Sequence, residues 1–143
     1  MRLFAIPLAA ILGALSLLHA YWALGGRAGS AYTIPVVNGR RAFEPGPAAT
    51  WIVCGLLALA AFIAIGKAGY IASGLPPILF TIGTWGLAVV FFARAIGNLR
   101  TFGFLKSITG TDFARWDTWL YSPLCLVIAA LAAGLALRNS DAV

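Results

Sequence analysis

This 143-residue chain is poor in the side chains that chemistry usually needs. It has four acidic residues, one histidine and two cysteines, and only 10% of its residues are charged. Each shortage excludes something. No long apolar run holds an acid near its middle, which argues against a proton-coupled carboxylate transporter, because such relays place ionisable groups inside the membrane. A single histidine cannot give bis-histidine haem ligation, and the absence of Cys-x-x-Cys removes the corresponding dithiol chemistry. One histidine and two separated cysteines are a poor ligand supply, so no metal site and no cofactor are expected. Cys54 and Cys125 both lie in apolar runs and read as reduced, small hydrophobes rather than a disulfide framework. No glycine-rich phosphate loop stands between a strand and a helix. The net charge is +6, but no basic cluster is denser than Arg40-Arg41, so nucleic acid is not expected as a partner.

What the chain has in excess is apolar surface. It is 62% hydrophobic, with a mean hydropathy of +0.94, where a soluble domain is about half apolar and about a quarter charged. A small domain has too much surface for its volume to hide that excess, so lipid is the expected solvent. Four apolar runs, about 3–24, 48–66, 78–96 and 118–137, approach the roughly 20 residues that cross a bilayer. None alternates like a strand, and lipid admits only helices and closed barrels. The expectation is one all-α integral membrane domain over residues 1–143: four transmembrane helices in an antiparallel bundle. The first run is longer than a signal-peptide core, and bulky Tyr21 and Trp22 precede the passable cleavage site at Ala23-Leu24-Gly25. It therefore reads as a retained span with an interfacial aromatic anchor.

Two of the three connections are long. Loop 1 (25–47) holds "TIPVVNGRRAF", where Asn38-Gly39 suits a type I′ turn and a small β-hairpin. Loop 2 (67–77) is short, and its Pro76-Pro77 suits the start of a helix. In loop 3 (97–117), Thr111 or Asp112 offers an N-cap for one short interfacial turn, and Asp117 is expected to cap the fourth helix. Starting that helix at Pro123 would make it too short to span, so Pro123 is expected in the second turn, with a slight bend.

Antiparallel connectivity puts His19, Cys54, Arg94 and Cys125 near one end of the bundle, with Glu44, Asp112 and Asp117 in its loops. Only Asp141 of the acids lies elsewhere. Seven basic residues (Arg27, Arg40, Arg41, Arg94, Arg100, Lys106 and Arg115) share that end, against Arg2, Lys67 and Arg138 at the other. The positive-inside rule then expects a multi-pass protein of the inner (plasma) membrane, with both long loops cytoplasmic. Small residues at i, i+4 (Ala9/Gly13, Ala60/Ala64, Ala93/Gly97, Ala129/Ala133 and Ala130/Gly134) mark surfaces where helices can approach closely. Cys54 shares a face with Ala58 and Ala61, and Cys125 with Ala129 and Ala132. Thr81 and Thr84 are expected to hydrogen-bond between helices.

Among the polar groups, His19 can relay a proton or hold a polar ligand, or simply anchor a helix end. Arg94 closes an apolar run; it either snorkels or needs an internal carboxylate. Asp117 is the preferred partner, and exchanging the two charges is then expected to rescue either single reversal. His19, Arg94 and Asp117 are the catalytic candidates. Tyr21, Trp22, Arg100, Lys106 and Tyr121 are the ligand-binding candidates.

Four stretches carry a resemblance: His19-x-Tyr21-Trp22-x-x-Gly25-Gly26, Phe43-Glu44-Pro45-Gly46, Arg94-x-Ile96-Gly97-x-x-Arg100-x-x-Gly103-Phe104-x-Lys106, and Tyr121-Ser122-Pro123-Leu124-Cys125. Together they resemble a family of small bacterial four-helix membrane proteins catalogued as a domain of unknown function (the 3995 series). The resemblance implies the four-helix topology and no activity. Where the family carries an acid this chain has Asn98, which removes any Arg94–acid pair within the third helix.

The expected function is an accessory or scaffold subunit, or a binder of a lipid or other lipophile, with membrane lipids and a membrane protein or second copy as partners. The alternative is a small intramembrane enzyme acting on a lipid-like substrate, with His19 as its acid–base group.

Overall fold

The computed structural model describes residues 1–71 and 74–138; Asp141 lies outside them. Four long helices dominate: α1 (Arg2–Ala23), α2 (Pro47–Lys67), α3 (Pro77–Ile96) and α4 (Asp112–Ala136). Each is long and apolar enough to cross a membrane. Helix α1 packs chiefly on α2, and α3 on α4, with the two pairs joined along α2–α3 and α1–α4. The expected antiparallel bundle is therefore what the chain forms.

Packing is sorted by size. The interior is built from Ala5, Ala60, Ala64, Ala88 and Ala132 around Leu8, Leu12, Ile128 and Leu135. Larger apolar side chains such as Leu17, Ile52, Leu56, Ile82 and Val89 point outward. A bundle in water would do the reverse. In lipid the outward residues cost nothing, and small inward residues let helix backbones approach. The Ala60/Ala64 pair serves this contact, and Gly134 lies under the Phe4 ring. Gly13 faces open space, so its pairing with Ala9 does not mark a close contact. Ser16 Oγ donates to the Cys54 carbonyl at 2.9 Å across α1–α2. Both threonines bond within their own helix, and the expected helix-to-helix bond is made at Thr81 but not at Thr84. Thr84 Oγ1 donates to the Phe80 carbonyl at 2.6 Å and Thr81 Oγ1 to that of Pro77 at 3.3 Å. Only Thr81 also reaches across, accepting from the buried Lys67 Nζ at 3.0 Å.

Loop 1 forms the expected hairpin. Strands β1 (Val36–Val37) and β2 (Arg40–Arg41) pair antiparallel, and Asn38 and Gly39 take the positive φ angles of +52° and +76° that a type I′ turn requires. Pro77 opens α3, as expected, because its missing N–H costs nothing at a first turn.

Helix α4 departs from expectation. It begins at Asp112, capped by Thr111 Oγ1, which accepts from the Ala114 N–H at 3.1 Å. Asp117 is therefore no cap but lies inside the helix, at the start of a π-turn over Asp117–Tyr121, before α-helix resumes at Ser122. Thr111, six residues before Asp117, caps the short turn as the sequence allowed, and that turn continues into the fourth span instead of ending before it. Pro123 is therefore not in the second turn but is the twelfth residue of α4, separated from the π-turn by Ser122 alone, where its lack of a donor and its ring demand a disturbed ladder.

Tyr121 Oη donates to the Tyr32 carbonyl at 3.2 Å, and the Tyr32 and Trp116 rings meet at 6.2 Å. Both long loops thus gather at one end of the bundle. At the other end, Arg2 lies over Tyr70 and Arg138 over Phe4.

Candidate functional site

Loop 3 is shaped by glycine. Gly97 ends α3 at φ +93°, ψ −171°, a region open essentially to glycine alone. Asn98 follows, and its Oδ1 accepts from the N–H groups of Arg100, Thr101 and Phe102 at 2.7–3.2 Å. An acid at this position could accept the same three bonds, so Asn98 organises the loop and does not engage Arg94. The chain then turns back until Gly103 lies against Gly97 with no room for a side chain on either.

That turn delivers three donors to the Asp117 carboxylate. Arg94 Nη2 donates to Oδ1 at 2.9 Å, and Lys106 Nζ and the Gly103 N–H donate to Oδ2 at 3.0 and 2.7 Å. Asp117 is fully buried, the Lys106 side chain is 3% exposed and that of Arg94 31%. The Lys106 ammonium also bonds the Gly103 carbonyl at 3.0 Å and Thr118 Oγ1 at 2.6 Å, so its three N–H groups are spent inside the protein. Arg94 stacks over Phe102 at 4.6 Å. Its Nη1 is buried without a protein partner, as is Ser122 Oγ. π-Turns recur at functional sites; here one holds the carboxylate against loop 3.

The expected Arg94–Asp117 pair is present, but it is a triad with Lys106. The charge-exchange expectation changes accordingly. The double variant Arg94→Asp, Asp117→Arg would place a guanidinium beside the buried Lys106 ammonium. Thermal unfolding in detergent should show no rescue over Asp117→Arg alone; recovery of wild-type stability would remove Lys106 from the site.

His19 stands apart from this triad. Its Nδ1 lies 2.7 Å from the Leu15 carbonyl. A carbonyl only accepts, so Nδ1 carries a proton and a neutral ring leaves Nε2 as an acceptor. The ring meets Trp22 edge-on at 5.1 Å. His19 and Trp22 form one wall of a cavity of about 530 Å³, with Ile34, Arg41, Phe43 and Glu44 of loop 1 and Thr50 and Val53 of α2 among its other lining residues. The lining thus combines charged and apolar side chains.

The remaining candidates are placed as follows. Trp22 Nε1 donates to the Ala28 carbonyl at 2.8 Å, and Tyr21 Oη accepts from the Ala28 N–H at 3.4 Å. The aromatic anchor therefore also latches loop 1. Tyr121 holds Tyr32, Arg100 is exposed, and Lys106 is internal. Lys106 was not recognisable as buried from its polar neighbours in sequence; the Gly97–Gly103 spacing was the available signal. Arg41 and Glu44 were not singled out as ligand groups, and the fold of loop 1 brings them into the same lining as His19. Among the described residues, no three His, Cys, Asp or Glu side chains gather as a metal site.

No curated protein and no solved structure shows significant similarity to the chain. A family model matches residues 12–132, which include the His19 cavity, all of loop 3 and the whole Arg94–Asp117–Lys106 triad. The chain belongs to the family described as Protein of unknown function (DUF3995).

Proposed function

We propose that this is a multi-pass protein of the bacterial inner membrane that binds an amphiphile, with the headgroup in the His19 cavity. The observation that carries this reading is the mixed lining of that cavity. His19, Arg41 and Glu44 offer an acceptor and two charges, while Trp22, Ile34, Phe43 and Val53 offer apolar surface. Binding sites combine a mainly apolar lining with a few placed polar groups in this way. The cavity lies where α1 ends and α2 begins, at the level expected for headgroups. The excess of basic residues at this end supports a cytoplasmic location for the long loops.

The test is purification in mild detergent followed by mass spectrometry of retained lipids. Arg41→Ala removes a charge-assisted contact of about 1.5–3 kcal/mol, so retention of the bound species should fall about tenfold or more. Unchanged retention in both Arg41→Ala and His19→Gln would overturn the reading.

The free Nε2 of His19 also favours a second reading, an intramembrane enzyme acting on a lipid-like substrate. Arg94 and Asp117 are engaged with each other and so lend it no support. A product formed from added membrane lipids by the wild type and absent with His19→Gln would favour the enzyme; unaltered lipid with both proteins would favour binding alone.

A further inference from the structure

A second cleft, of about 470 Å³, lies where loop 1 meets the start of α4. It is lined by Tyr32, Asp112, Arg115, Trp116 and Trp119 and shares no residue with the His19 cavity. Its composition is specific. Tyr32 and Trp116 stand 6.2 Å apart with their planes tilted by 43°, so their faces splay rather than stack. Trp119 lies three residues from Trp116, within the π-turn, and is 83% exposed. Three aromatic rings line one space, and an aromatic ring carries negative charge above its face. Such an arrangement attracts a cation, and it suits a quaternary ammonium, which has no hydrogen to donate.

Charge follows the same pattern. The Asp112 carboxylate adds a negative group to the aromatic faces. Arg115 lies beside it, and the two approach only to 3.7 Å with both side chains strongly exposed. A loose, solvated pair of this kind contributes little and yields readily to a ligand. Arg115 then meets an anionic oxygen, for which its planar fork is well suited. The cleft therefore offers a cation seat next to an anion seat, at the level of the membrane surface.

We propose that this cleft binds a zwitterionic phospholipid headgroup of the phosphocholine type, with the trimethylammonium against Tyr32, Trp116 and Trp119 and the phosphate at Arg115. A primary ammonium would need several acceptors, and the cleft has one carboxylate. An unspecialised aromatic belt would bring tryptophans to the interface but would not discriminate between headgroups.

The experiment uses the full chain reconstituted from mixed vesicles of phosphatidylcholine, phosphatidylethanolamine and phosphatidylglycerol, then extracted gently for native mass spectrometry. The expected result is about tenfold enrichment of phosphatidylcholine over each of the other two. Trp119→Leu should abolish that enrichment, and Trp119 is exposed enough for the variant to keep the fold. Trp116→Phe should retain most of it, and Asp112→Asn should weaken it. Equal retention of all three lipids by the wild type would overturn the site. Equal retention of phosphatidylcholine and phosphatidylethanolamine would overturn the quaternary assignment. Undiminished enrichment in Trp119→Leu would place the binding elsewhere. Because the lining is separate, Arg41→Ala should leave the enrichment intact, which keeps this result distinct from that of the His19 cavity.

Discussion

Replacing Asp117 with Asn should lower the stability of the folded protein by about 3–5 kcal/mol, the usual cost of removing one partner of a buried ionic group. The carboxylate accepts from Arg94, Lys106 and the Gly103 N–H. Asn keeps one acceptor oxygen and replaces the other with a donor, so one side of the group turns from attraction to opposition. The burden falls on Lys106, whose ammonium is shut off from solvent. Arg94 is about a third exposed and can recover part of its hydration. This difference between the two cations sharpens the test. Adding Lys106→Met to Asp117→Asn removes the stranded charge, and the double variant should be more stable than Asp117→Asn alone. Equilibrium or thermal unfolding in detergent measures both. A loss below about 1 kcal/mol for Asp117→Asn would show that the carboxylate does not organise this end of the bundle.

The second large effect is expected at Gly103. It sits at φ +88°, where a side chain costs about 1–2 kcal/mol. A Cβ there would overlap the backbone of Ile96 and Gly97. Backbone atoms cannot rotate away as a side chain can, so loop 3 must lift off the end of α3. Lifting it withdraws the Gly103 N–H from Asp117, a charge-assisted bond of about 1.5–3 kcal/mol. Gly103→Ala should therefore cost about 2.5–5 kcal/mol and loosen Lys106 with it. The control is Gly110→Ala in the same loop. A Cβ at Gly110 meets nothing within 4 Å, and that variant should stay within about 0.5 kcal/mol of wild type. Comparable losses at both glycines would mean that the loop is merely intolerant of substitution, without a close contact at Gly103.

The sequence made the four spans legible because lipid imposes a length and a composition that no other environment demands. The hairpin was legible for a local reason: Asn38-Gly39 fixes its own turn. Arg94 and Asp117 could be paired by elimination, since few acids were available to a buried cation. The rest depended on the path of loop 3. Nothing in the local pattern around Lys106 distinguishes a buried ammonium from a surface one. Its burial follows from the contact of Gly97 with Gly103, a relation across six residues that no periodicity reports. The start of α4 was misplaced because Asp117 makes a plausible cap on paper, and Thr111 had already taken that role. The His19 cavity was half legible: the histidine and tryptophan were visible, but Arg41 and Glu44 line the same cavity only once loop 1 has folded.

The π-turn between Asp117 and Tyr121 can also be considered as a question of phase. An α-helix advances about 100° per residue, and a π-turn amounts to one extra residue in that count. The segments on either side of it, Asp112–Trp116 and Ser122–Ala136, are thereby offset about a common axis. The lower segment aims its apolar face at α3 and α1. The upper segment aims Phe113 and Ala114 inward and hands Asp117 to loop 3. In a helix of unbroken α-periodicity Asp117 would fall in phase with the buried Ile128 and Leu135, and the carboxylate would be turned into the apolar interior of the bundle instead of toward the loop. A single surplus residue thus lets one helix answer to two different neighbours, the bundle along most of its length and the loop at its end.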